Sequence, residues 1–86
     1  MTLRIERVKG QIRLSGEFRI AHLDQVKTET ECCESLVALD LEELDLIDLA
    51  GVRFLNACEA KGILVLHCSP YIREWMAQER IREKKR

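Results

Sequence analysis

Proline occurs once, glycine four times, and aromatic residues make up 5% of the 86 positions. So little proline and glycine excludes a linker or low-complexity chain, and so few rings leave the core to aliphatic side chains. An excess of one charge is also missing. Fourteen Lys and Arg stand against fifteen Asp and Glu, for a net charge of −1, which removes the electrostatic case for general nucleic-acid binding. No apolar run approaches the roughly 20 residues that span a bilayer. The first ten residues alternate apolar with charged side chains and form no signal-peptide block, so a cytoplasmic protein with no direct membrane insertion is expected. Cys32, Cys33, Cys58 and Cys68 form no CxxC pair, and His22 and His67 lie far from any such pattern. Neither a metal nor a disulfide is therefore assigned.

What is present is enough for one domain: 47% of the residues are hydrophobic and 34% charged. A chain of this size buries roughly 60 to 65% of its unfolded surface, so function is expected on the surface. Charge is unevenly spread. Thr28 to Asp48 holds eight acids and no base, whereas Arg80 to Arg86 holds five bases and one acid. The reading is a single domain over residues 1–79 with a basic tail over 80–86.

Leu3, Ile5 and Val8, interleaved with Arg4, Glu6 and Arg7, predict a strand with one covered face; a turn at Gly10-Gln11 leads into Ile12-Arg13-Leu14, completing a hairpin. The pattern changes after Ser15-Gly16. Leu23, Val26, Thr30 and Cys33 then fall on one side of a helix. Leu36 to Leu39 and Ile63 to Leu66 are short continuous apolar runs, which predict buried, parallel strands. Between them Asp48 is placed to cap a helix over Leu49 to Lys61, ended by Gly62 in a left-handed conformation. On that helix Gly51, Phe54, Leu55 and Cys58 group together with Val52 at the margin, while Arg53, Asn56 and Ala60 face away. Glycine in an apolar stripe costs about 1 kcal/mol of helix propensity, and a close approach of helix to sheet explains keeping it. Ser69 as N-cap and Pro70 in the first turn open a last helix with Tyr71, Ile72, Trp75 and Met76 inside, fraying beyond Ala77. The expected fold is α/β: a four-stranded, mixed but mainly parallel sheet with an N-terminal hairpin and about three helices.

Leu14-Ser15-Gly16-Glu17-Phe18, the run from Leu36 through Asp40, Asp48 and Gly51 to Val52, and Leu64 through His67 to Pro70 together resemble the STAS domain. That family includes bacterial anti-sigma factor antagonists and domains of sulfate transporters and lipid-transport complexes. The likeness covers most of residues 3–76 and is carried by order and spacing. In the antagonists the strand-to-helix junction reads Asp-Ser-Ser/Thr-Gly, and the first hydroxyl is phosphorylated by the partner kinase. Here it reads Asp48-Leu49-Ala50-Gly51. The phosphoacceptor position falls on Leu49, which cannot take the roughly 1.5 to 2 negative charges of a phosphate. Arg19 also stands where the family commonly has an acid.

The resemblance implies a non-catalytic, cytoplasmic protein-interaction module that binds without phosphorylation control at the usual position. Its partner-binding residues would be Ile47, Asp48, Leu49, Ala50, Val52, Arg53 and Asn56. The partner would be an anti-sigma factor or related kinase; the alternative is the ATPase of an ABC-type membrane-transport assembly. A nucleotide-binding or hydrolytic domain using Asp40 and Ser15-Gly16 ranks below both, because no glycine-rich phosphate loop is present. Asp40, Asp45 and Asp48 fall near strand ends where open α/β sheets place ligands, yet loop polarity and capping account for them. His22 and His67 have no partner that spacing can identify, and Ser69, in principle a phosphorylation site, is explained by capping before Pro70, so no catalytic residue and no cofactor is assigned.

Overall fold

The computed structural model describes residues 3–32 and 35–84. Alternating side chains build β1 (Leu3–Val8) and β2 (Gln11–Phe18), paired antiparallel with Val8 opposite Gln11. The turn is Lys9-Gly10, one residue earlier than expected, and Gly10 adopts φ +77°, a conformation that costs glycine little. β2 also runs further than expected. Ser15 and Gly16 lie inside the strand, because its second half finds its own partner.

That partner comes from one interrupted stretch of chain. β3 (Ala38–Asp40) pairs in parallel with Gln11 to Arg13, and β4 (Leu44–Ile47) pairs in parallel with Gly16 to Phe18. Between them Leu41 to Glu43 form a turn, closed by the Leu44 amide donating to the Leu41 carbonyl at 3.1 Å. The register shifts again between Gly16 and Glu17, where Gly16 takes φ +91°. β5 (Leu64–Leu66) adds in parallel to β3, so the five-stranded sheet runs β1-β2-β3-β5 with β4 beside β2. The fold is α/β with an N-terminal hairpin and a mixed, mainly parallel sheet, and β4 is a short strand beyond the four expected.

Three helices cover one face: α1 (Leu23–Cys32), α2 (Leu49–Ala60) and α3 (Pro70–Lys84). Ile12, Leu14 and Phe18 of β2, with Leu39 of β3, Ile47 of β4 and Val65 of β5, form one core with Val26 of α1, Val52 and Leu55 of α2, and Ile72 and Met76 of α3. Leu23 and Thr30 are half-buried on the same side of α1, and Cys33 lies outside the described residues. Among the described residues the opposite face carries no helix. The expectation that the two apolar runs are buried on both faces is corrected: Leu64, on the open face, is 56% exposed, and Val37, just before β3, is 58% exposed.

α2 begins and ends where its sequence directs. The Asp48 carboxylate accepts from the Gly51 amide at 3.1 Å, and Gly62 leaves the helix at φ +92° while the Ile63 amide reaches back to the Cys58 carbonyl at 3.0 Å. A methyl on Gly51 would lie 2.6 Å from Ile47 Cγ1 and 3.3 Å from Phe18 Cδ2, so helix and sheet meet at the glycine.

Four expectations for the helices are corrected. Asn56, placed outside by the helical wheel, is buried under α3, where its amide donates to the Met76 carbonyl at 3.0 Å. On α3, Ile72 and Met76 are buried, whereas Tyr71 is exposed and Trp75 half-buried. α3 also continues beyond Ala77: Glu79 is buried, and Arg80 bonds Glu59 at 2.6 Å and Asn56 at 3.0 Å. These anchors hold helix across much of the stretch read as a basic tail. The Ser69 hydroxyl is buried without a hydrogen-bond partner, so the start of α3 rests on Pro70 and on the Arg73 amide donating to the Ser69 carbonyl at 3.0 Å.

Candidate functional site

The start of α2 is organised by one side chain. Besides capping Gly51, the Asp48 carboxylate accepts from the Ile20 amide at 2.8 Å, which ties the short 3₁₀ turn of Ile20–His22 to the helix. The His22 ring accepts from the Arg19 amide at 3.3 Å, and Arg19 pairs with Glu17 at 3.0 Å, so both are spent on holding the turn. This bracing leaves Ile20 68% exposed beside Leu49 at 39%. With Ala50 and Arg53 they line a shallow depression of about 290 Å³. Glu42, Glu43 and Asp45 lie exposed in the turn and strand leading to it.

The residues proposed from sequence for partner contact divide by burial. Leu49, Ala50 and Arg53 reach the surface and Asp48 sits beneath them, half-buried. Ile47, Val52 and Asn56 face inward and are unavailable to a partner. α2 lies between sheet and α3, so two of its sides are covered where a wheel allows for one. Ile20 was missed. It follows a strand end in a segment too short for periodicity, and only the bond to Asp48 places it beside Leu49.

A second polar cluster lies at the carboxyl ends of β3 and β5. Asp40 is 5% exposed, with Oδ1 accepting from the Glu42 amide at 3.0 Å and lying 3.0 Å from His67 Nδ1. Oδ2 is 3.6 Å from the Arg13 guanidinium. Burial pushes the carboxyl pKa up, but the Glu42 amide, His67 and Arg13 outweigh it and hold the group below the ordinary carboxylate range. His67 takes φ +55°, an uncommon conformation for a side chain larger than glycine. Sequence reading found no partner for His67; the signal was the register, since Asp40 pairs with Leu66 across β3 and β5.

Oxygen and nitrogen atoms of Asp40, Glu42 and His67 come within 4.8 Å of one another, a spacing that would admit a cation. The donor set argues against one. Both Asp40 oxygens are engaged, and the nearby guanidinium already balances their charge. Asp45 and Asp48 do not join this group. Cys32, Cys58 and Cys68 are free, and burial pushes the Cys58 thiol up to about 11, well above the pKa of a reactive thiolate. Among the described residues no helix is long and apolar enough to cross a membrane.

The chain is thus a small α/β domain in which two exposed apolar residues, Ile20 and Leu49, meet at a helix start. No family model matches it and no curated protein matches it.

Proposed function

We propose that the chain is a non-catalytic interaction module of STAS type, which binds a partner protein through the α2 start without a phosphate switch there. The observation that carries this reading is the exposed pair Ile20 and Leu49, held side by side by Asp48. Two aliphatic side chains, a rim arginine and an acidic approach make a small apolar centre with a charged border, the usual anatomy of a recognition patch. The order of hairpin, helix, two parallel strands, helix, parallel strand and helix supports this reading, as does the location of Asp48 to Gly51 at the strand-to-helix junction. The partner is an anti-sigma factor or related kinase, or the ATPase of a transport assembly in the alternative.

The test is Leu49→Lys. A tagged wild-type chain recovers its partner from the source cell's lysate, and the affinity of that partner is then measured for both forms. The substitution lowers affinity more than about tenfold, equivalent to about 1.4 kcal/mol, while the melting temperature barely moves because Leu49 lies at the surface. Unchanged affinity would place the interface elsewhere. Saturable nucleotide binding, followed by Trp75 fluorescence, would replace this reading with the nucleotide-binding one.

A further inference from the structure

β1 is the outermost strand, with β2 as its neighbour. The direction in which its peptide groups point follows from the bonds β2 makes on its other side. The Gly16 amide donates to Glu43, the Phe18 carbonyl accepts from Asp48, and Gly10, just before the strand, accepts from Val37. Even-numbered residues of β2 therefore direct their backbone groups toward β3 and β4, and odd-numbered ones toward β1. The pairs Val8–Gln11, Glu6–Arg13 and Arg4–Ser15 thus carry the hairpin bonds, and Leu3 and Ile5 turn their peptide groups to the open edge.

Open edges are templates for another strand, and natural sheets commonly guard them with charge. Arg4 and Glu6 occupy that position, on the sheet face away from the helices. Neither has an ion-pair partner among the described residues. Leu3 and Ile5, on the helix side, are half-buried.

We propose that two copies of this chain pair through β1, antiparallel, with Ile5 of one copy opposite Ile5 of the other. In this register Arg4 of each copy faces Glu6 of the other, so two opposite-charge pairs form on one face. The Ile5 side chains meet on the other face and join the two apolar cores. Residues whose peptide groups point outward can pair only with one another, so the register moves in steps. One step one way sets Arg4 against Arg4, and one step the other way sets Glu6 against Glu6. The charges that block those pairings select the remaining one, and the result is a closed two-fold dimer. Arg7 keeps its 2.8 Å bond to Glu29 on α1. The proposal does not depend on the reading of the α2 start.

Sedimentation equilibrium of the full chain tests it. The wild type associates to a dimer that weakens with added salt. Arg4→Glu and Glu6→Arg each turn both cross-strand pairs repulsive and weaken the dimer about tenfold or more, with circular dichroism unchanged. Mixing the two variants sets an all-acidic edge against an all-basic one, and the mixture dimerises more tightly than either alone. A wild type that stays monomeric, a dimer indifferent to Arg4→Glu and to salt, or a mixture no tighter than its components would overturn the proposal. The salt series reads the charge pairing even where a variant fails to fold.

Discussion

Replacing Gly51 by alanine sets two terms of known sign against each other. Alanine gains about 1 kcal/mol of helix propensity over glycine. The new methyl, however, would stand 2.6 Å from Ile47 Cγ1, 3.1 Å from Ile47 Cδ1 and 3.3 Å from Phe18 Cδ2, where carbon atoms prefer about 3.5 to 4.0 Å. Relief requires α2 to lift or Ile47 to leave its rotamer. Ile47 is nearly buried and Phe18 fully so, and overpacking of this kind costs about 1 to 3 kcal/mol. The net expectation is a loss of about 1 kcal/mol, or about 4 to 8 °C in Tm for a domain of this size. Urea and thermal unfolding followed by far-UV circular dichroism measure it. A cycle with Ile47→Ala isolates the cause: removing Cγ1 makes room for the methyl, so the double variant is more stable than the two single losses predict. A Gly51→Ala protein as stable as the wild type would refute the close-approach account.

Three further outcomes follow from named contacts. Asp48→Ala removes both the α2 cap and the bond to Ile20; about 1 to 2 kcal/mol should be lost, together with partner affinity, whereas Asp48→Asn retains much of both. At His67 the left-handed backbone makes His67→Gly more stable than His67→Ala by about 1 kcal/mol, since both lose the Asp40 contact equally; equal melting curves would remove backbone strain from the account. Burial raises the Glu59 pKa, but bonds from Arg73 and Arg80 outweigh this and leave it below the ordinary range. The unfolded chain then binds the extra proton first, so this contribution is complete above about pH 4.5 and fades as acidity increases. Glu59→Gln should flatten the acid limb of the stability profile, and a limb parallel to the wild type would show that Glu59 does not shape it.

Some features depend on a few neighbouring residues, and these were legible in the chain alone. Asp48 before an apolar helix, Gly62 after it and Pro70 in a first turn act through local hydrogen bonds and sterics that sequence spacing fixes. The same holds for the hairpin, though Gly16 concealed the true length of β2, since a bulge reads locally like a strand end. The apolar runs around Leu39 and Val65 indicated parallel strands but not which face would be covered.

Everything that required knowing what lies across from a side chain waited for the tertiary structure. Asn56 and Glu79 are buried because α3 crosses α2, and Leu64 stays exposed because the helices share one face. Ile20 and Leu49 become neighbours only through Asp48, and Asp40 meets His67 only because β3 and β5 pair in register. A side chain's periodicity sets its direction from the backbone, whereas its solvent, partner and charge state are set by segments many residues away.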